Sequence, residues 1–487
     1  MVQKQKILPP VLLSVVLATC SSQAQEPASM PQDQMHHHGD IQPVQPVFPR
    51  MGRAQEQAAA KLFSFDEAQH IAAESNPTLR QAESEIRAAK SRQQQAGLYP
   101  NPAVGYTGDE IRGGSINGGK QGFFVQQTIV TGGKLGKARS VFEQEARLAE
   151  IEAQEQKLRV QTAVKLAYYR VLSAQELLDA RRDLAQIELN FVEVQRQLFN
   201  TGQVDETELL QAQVDAGRQR IYVRMQENSL RQEWKLLAAV LGRPDLPQAA
   251  VAGNLDRDWP EINEELAIEN IAAQSPAARI AEADTVRAAA EVVRAKGEGI
   301  PDLQLRGGLE YNNEPLGIAS PVTGWEGLAE VSVQVPIFNR NQGNVAAASA
   351  GRERARLEEQ RVALRLRERA EAIVDQYASA KLMATTYRDE LLPRAKKAYS
   401  LMNEKYGQML AAYPRVLQSQ RKLYALQAEY ILALENTWTT GIALQGYLLT
   451  DGLEAPSRPG EVDRPVRETN VPMPERAIFA PGLTPQP

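Results

Sequence analysis

The residues from Lys137 to Asn200 contain neither proline nor glycine. Val164, Val171, Leu178, Ala185, Val192 and Phe199 recur at every seventh position, and Leu177, Leu184, Phe191 and Leu198 do the same one position ahead. A single helix over this stretch is ~95 Å long at ~1.5 Å per residue. Globular helices average only ~10–14 residues. A sevenfold apolar repeat over such a length implies coiled-coil packing, so the rod needs partners along its whole extent. Thr201-Gly202-Gln203 breaks it. Asp205-Glu206-Thr207-Glu208 then caps a returning helix that reaches Leu241, where Gly242-Arg243-Pro244 stops it.

The same pattern is written twice. Phe65-Asp66-Glu67-Ala68 opens a helix interrupted at Asn76-Pro77, and Glu264 to Gln274 is interrupted likewise at Ser275-Pro276. Tyr99-Pro100-Asn101-Pro102 ends the first copy's helix and Ile300-Pro301-Asp302 the second's. A second long helix runs from about Asn344 to Tyr406, with Pro393 a candidate kink. Its seam is Ala363, Ala370, Tyr377, Ala384, Leu391 and Ala398, with Leu366, Ile373, Ala380 and Tyr387 three positions on. Tyr406-Gly407-Gln408 answers Thr201-Gly202-Gln203, and a returning helix covers about Tyr413 to Leu448. A constant order of elements at a nearly constant offset marks an internal duplication.

Between the short and long helices of each copy lies a hairpin. Leu303, Leu305, Gly307, Leu309 and Tyr311 fall on one face of a strand, and Gln304, Arg306, Gly308 and Glu310 on the other. Leu328 to Val335 alternates again, Ala329, Val331, Val333 and Val335 opposing Leu328, Glu330, Ser332 and Gln334. In the first copy Val104 to Ile111 and Phe123 to Val130 read as strands around a glycine-rich loop. Each run of the second hairpin has about 9–11 residues, the length a tilted strand needs to cross a bilayer. A sheet in lipid cannot keep open edges, so four strands per chain require two copies, giving eight strands, or three, giving twelve. Polar side chains then line a lumen and apolar ones meet lipid. Tyr106, Phe123, Phe124, Tyr311 and Trp325 lie at or beside the strand ends, where aromatic girdles sit. The fold class expected is mainly α with a small transmembrane β part.

The net charge is −5 with a pI near 5.7, so there is no basic footprint for nucleic acid. The single cysteine, Cys20, follows Lys4, Lys6 and a mostly apolar run. Leu17-Ala18-Thr19-Cys20 is similar to a lipobox, in which cleavage falls before the cysteine and the cysteine is lipidated; ordinary cleavage after Ala24 is the competing reading, so residues 1–24 contain the signal peptide and both candidate cleavage sites. Residues 25–60 form a Pro- and Gln-rich arm carrying Met30, Met35, His36, His37, His38 and Met51. Imidazole with thioether suits copper or silver, and imidazole alone suits zinc, cobalt or nickel. The same stretch also reads as a plain polar arm. Residues 61–255 and 262–450 hold the two copies, with hairpins at about 102–131 and 302–336, and residues 451–487 are a Pro-rich tail. No Walker loop, HExxH, GxSxG or dinucleotide fingerprint is present, so neither an enzyme nor a cofactor is expected.

Asn76-Pro77, Leu98-Tyr99-Pro100-Asn101, Gln127 to Lys134, Ser275-Pro276, Pro301-Asp302, Val335-Pro336-Ile337-Phe338-Asn339 and the Tyr406-Gly407 turn before Val416-Leu417 together resemble the TolC-type outer-membrane efflux family, from about Leu62 to Leu449. Ala412 to Leu417, Trp438 and Ile442 to Gly446 are similar to its heavy-metal branch, the CzcC/CusC-like proteins. The resemblance implies a homotrimer with a 12-stranded barrel in the outer-membrane lipid and a periplasmic helical tunnel. It implies docking through a periplasmic membrane-fusion adaptor on an inner-membrane RND-type pump. Drug efflux or protein secretion is an alternative cargo, and a periplasmic coiled-coil scaffold or a membrane-fusion adaptor an alternative class. The resemblance also places a constriction at the helix turns, often lined by acids. Asp205, Glu206 and Glu208 follow the first turn, where threefold repetition makes a cation-favouring ring, or where they simply serve the helix cap and dipole. Arg415 stands where related channels often carry an acid; an ion pair from it to an acid of the neighbouring turn is a candidate closing contact.

Overall fold

The computed structural model of the chain describes residues 62–109, 119–315 and 322–456. The order of elements repeats. Repeat 1 runs α1 (Phe65–Ser75), α2 (Pro77–Ala96), β1 (Ala103–Asp109), β2 (Lys120–Ile129), α3 (Lys134–Asn200) and α4 (Glu206–Val240). Repeat 2 runs α5 (Glu264–Gln274), α6 (Pro276–Gly297), β3 (Leu303–Pro315), β4 (Val322–Val333), α7 (Gln342–Thr386), a π-helical turn (Tyr387–Leu391), α8 (Leu392–Gly407) and α9 (Tyr413–Gln445). The Asn-Pro and Ser-Pro pairs start helices as expected. Asn76 accepts a hydrogen bond from the Thr78 N–H at 2.9 Å, and Ser275 from the Ala278 N–H at 3.2 Å, each followed by proline in the first turn.

Helix α3 has 67 residues, about 100 Å at the standard rise. Val164, Val171, Leu178 and Ala185 of its seam are buried, but Phe199 is 39% exposed. In the second rod Ala370, Tyr377 and Ala384 are buried, whereas Ala398 is exposed. Both seams are thus covered mid-length and open toward the helix turns. The second rod is not one regular helix. Pro393 has no N–H to give, and its ring would crowd the carbonyl four residues back. The chain answers with the π-helical turn immediately before it, where the Leu392 N–H bonds the Tyr387 carbonyl.

The tips also differ from the sequence reading. Gly202 has φ of 72°, as a helix-ending glycine should. Its counterpart is Met409, at φ 58°, not Gly407, which remains helical. Gly202 and Met409 donate their N–H groups to the carbonyls of Phe199 and Tyr406, and the next residues donate to Leu198 and Lys405. The two turns therefore share one geometry, displaced by two residues from the Gly–Gly alignment.

The four strands form one antiparallel sheet in the order β1-β2-β3-β4. The two hairpins are joined by β2 and β3, paired from Lys120↔Asn312 to Ile129↔Leu303. Strands β3 and β4 have 13 and 12 residues, extending past Tyr311 and ahead of Leu328 on the loop side, while β4 ends at Val333, short of the Val335 read from alternation.

The main core lies mid-length on the rods. Phe63, Tyr168, Leu172, Trp234, Leu237, Trp438 and Ile442 bring together the segment just before α1, α3, α4 and α9. Tyr169 stacks on Trp438 at 3.8 Å between ring centroids. The start of the Pro-rich segment touches the body of the chain at Gly452 and Glu454. The Asn76 amide donates to the carbonyls of Val240 at 2.8 Å and Gly452 at 3.3 Å, and Glu454 pairs with the buried Arg159.

Candidate functional site

Three parts of the chain bear on function: the sheet, its junction with the rods, and the helix turns at the far end. Directly paired residues share a face of a sheet. Tyr106, Phe123 and Leu309 are so aligned, as are Gln121, Tyr311 and Trp325. Val104, Tyr106, Phe123, Leu309, Trp325 and Val331 on this face are each more than half exposed. The rings of Tyr106 and Phe123 meet edge-on at 5.7 Å, and those of Tyr311 and Trp325 at 5.4 Å. The opposite face is polar. Lys120 pairs with Glu326 at 3.3 Å, Asn312 donates to Glu326 at 2.8 Å, and Arg306 lies 3.9 Å from Glu330. Phe124 corrects the girdle reading. It lies on the polar face, its ring spread across Gly105 with the Arg306 guanidinium 4.1 Å above. A Cβ on Gly105 would sit 2.4 Å from that ring, so glycine is what lets the ring lie flat.

At the junction, Asp302 accepts the Thr131 N–H at 3.0 Å and pairs with Lys134 at 2.9 Å. Thr131 also donates its hydroxyl to the Pro301 carbonyl. Desolvation opposes the Asp302 carboxylate, but the Lys134 and Thr131 hydrogen bonds and the lysine charge outweigh it, holding its pKa below the usual range. One carboxylate thus ties the start of repeat 1's rod to the start of repeat 2's hairpin.

At the turns, Asp205 is the N-cap of α4, accepting the Glu208 N–H at 3.0 Å. Glu206 and Glu208 occupy the exposed first turn, where carboxylates favour the helix dipole. Arg415 is exposed in the first turn of α9, and among the described residues of one chain no ion pair joins it to these acids. The arginine that ties helices here is Arg421. It pairs with the buried Glu188 of α3, reaches Asp215 of α4 at 3.5 Å, and covers the Phe191 ring at 5.1 Å. Leu184, Ile187, Leu417 and Tyr424 pack beside it. Burial, then the Asp183 carboxylate and Tyr399, push the Tyr424 hydroxyl up to about 12. The Arg421 contact spans 233 residues, and no local spacing marks it.

Cys20, His36, His37 and His38 lie outside the described residues. Among the described residues, no group of three or more His, Cys, Asp or Glu is placed to hold a metal ion. Nor is any helix there long and apolar enough to cross a membrane.

The chain thus joins a sheet with one apolar and one polar face to a rod of 67 residues. Residues 69–243 match the family described as outer membrane efflux protein. The chain is 24% identical over 407 residues to the cobalt-zinc-cadmium resistance protein CzcC of Cupriavidus metallidurans, covering 83% of this chain and 92% of that one. Among solved structures, CusC aligns with a TM-score of 0.64 at 17% identity, over 79% of this chain and 91% of its own. The open-state MtrE channel of Neisseria gonorrhoeae aligns with a TM-score of 0.63 at 16% identity, over 80% and 90%. Residues 69–243 thus resemble the outer membrane efflux family in sequence, and the fold over both repeats is that of these solved channels.

Proposed function

We propose that three copies close their sheets into a 12-stranded barrel in the outer membrane, and their rods into a periplasmic tube. The assembly is the passive exit duct of a tripartite efflux system, receiving cargo through a membrane-fusion adaptor from an inner-membrane RND-type pump. The observation that carries this reading is the four-stranded sheet, apolar on one face and polar on the other, with β1 and β4 as its two edges. Such edges have no water to bond in lipid and must pair with another copy.

The cargo we assign is heavy-metal cations. The likeness to a cobalt-zinc-cadmium resistance protein supports it. So do the acidic turn residues Asp205, Glu206 and Glu208, which threefold repetition makes a negative mouth. Arg415 stands at the same mouth, and His36, His37 and His38 supply imidazole for copper, silver or zinc in the arm. Cys20 is the proposed lipid anchor. The residue range proposed for repeat 1 is 61–255 and for repeat 2 is 262–450.

Arg421 holds the tip shut in this reading, by tying α9 to α3 and α4. Arg421→Ala leaves Glu188 buried without its cation, a loss of about 2–3 kcal/mol once the partial exposure of the arginine is allowed for. In planar bilayers the variant should show larger single-channel conductance than the parent. Unchanged conductance in a correctly assembled variant removes Arg421 from the gate. For the cargo, deleting the gene should sensitise cells to metal cations, and deleting Gln34–Asp40 alone should reproduce part of that loss if the arm binds metal. Sensitivity to drugs with unaltered metal tolerance contradicts the assignment.

A further inference from the structure

The polar face of the sheet carries a carboxylate that no other described side chain answers. Thr107, Gly122, Glu310 and Glu326 stand in one row across β1 to β4. Glu310 and Glu326 are therefore like charges directly opposite each other, an arrangement that destabilises a strand pair. Glu326 is compensated by the Lys120 ammonium at 3.3 Å and the Asn312 amide at 2.8 Å. Glu310 is not, since no hydrogen bond or ion pair joins it to another described residue. Lys120 is taken by Glu326. Arg306 stands four residues away on the same strand, about 13 Å at the usual rise, and lies beside Glu330. Glu310 is nonetheless only 8% exposed. Its side chain leans over Gly122, where a Cβ would stand 2.6 Å from the Glu310 Cγ. Glycine at 122 makes room for the glutamate, much as Gly105 makes room for the Phe124 ring.

A mostly covered carboxylate without a counter-charge is costly, so its place in the sheet calls for a cation from outside the chain. We propose that Glu310, with Glu326 opposite, is a transit site for divalent metal cations in the bore of the barrel, separate from the acidic helix turns. This rests on the reading that the polar face lines a lumen. The passing ion supplies the charge that the chain withholds. Carboxylate oxygens completed by water suit hard and borderline divalent ions, not the soft copper(I) or silver ions that thioethers take. Among the described residues the pair has no third acid or histidine to make a holding site. Weak retention is what passage needs, since an ion must leave as readily as it enters. Lys120 tunes the site: it competes with an incoming ion on the Glu326 side and leaves Glu310 open.

The test is planar-bilayer recording of the purified protein in a potassium chloride gradient, and then with zinc chloride added. The parent should pass potassium in preference to chloride, and zinc should block the current. Glu310→Gln should raise the half-blocking zinc concentration by about tenfold, the lower end of what a charged cleft does to local counter-ion concentration. It should also lower the potassium-to-chloride permeability ratio. Glu310→Asp keeps the charge and should retain both parental values. Lys120→Gln should move both quantities the opposite way, because it uncovers Glu326. Parental block and permeability in Glu310→Gln channels overturn the site. So does a Lys120→Gln channel that changes in the same direction as Glu310→Gln, which decides the matter even where Glu310→Gln fails to assemble. Block that survives in Glu310→Gln and disappears only when Asp205, Glu206 and Glu208 are neutralised places the ion at the turns and overturns the proposal as well. No channel from the parent chain overturns the lumen reading itself.

Discussion

Asp302 shows how one side chain fastens two repeats. Its pKa is lower in the folded chain than in the unfolded one, so the proton binds the unfolded state more tightly. The stability it contributes is complete above the ordinary aspartate value of about 3.9 and is lost as pH falls through its lowered folded value. Asp302→Asn should therefore melt earlier than the parent at pH 6, by roughly 1.5–3 kcal/mol for hydrogen bonds to a charged group. The two melting temperatures should converge in strong acid, and a pH-independent difference contradicts the account. Met409 makes a different residue-scale case. It holds a left-handed backbone with φ 58° while its side chain is 95% exposed, so nothing offsets the strain. Met409→Gly should stabilise the turn by about 0.5–1 kcal/mol, after the greater freedom of glycine in the unfolded chain is subtracted. A lower melting temperature contradicts that. The sequence match of Gly407 to Gly202 hid this position, because a glycine in the last helical turn looks the same in sequence as one that ends it.

At the scale of elements, local signals were legible and distant pairings were not. The proline- and glycine-free run with its sevenfold repeat marks α3 to within three residues at its start and at Asn200 at its end. Prolines after Asn76 and Ser275 mark helix starts because they act within one turn. Alternation showed which residues of β3 share a face, and it also contained the signal that adjacent Phe123 and Phe124 cannot both face lipid. The β2–β3 register and the Arg421–Glu188 pair join residues far apart in the chain, where no spacing rule applies. Pro393 signalled a disturbance, but its form as a π-helical turn depends on which backbone donor replaces the missing one. Pro393→Ala restores that donor. Spin labels on Leu382 and Leu401, both exposed and on either side of the turn, should then report a changed and narrower distance distribution. An unaltered distribution shows that packing, not proline, sets the turn.

For the whole molecule, one chain leaves much apolar surface uncovered. The sheet has two edges and an apolar face with side chains in the open, and both rod seams are uncovered toward the turns. Within the mid-length core, by contrast, the chain is self-sufficient, since Trp234, Trp438 and Tyr168 are each at most 3% exposed. Assembly should therefore act on the sheet and the turns more than on this core. The direct measurement is an electron cryomicroscopy map of the protein extracted from membranes in detergent. The account predicts three copies around one hollow axis, with β1 of each copy paired to β4 of the next and the polar face turned inward. A lone chain with both sheet edges unpaired, or an oligomer with no continuous lumen, would contradict it.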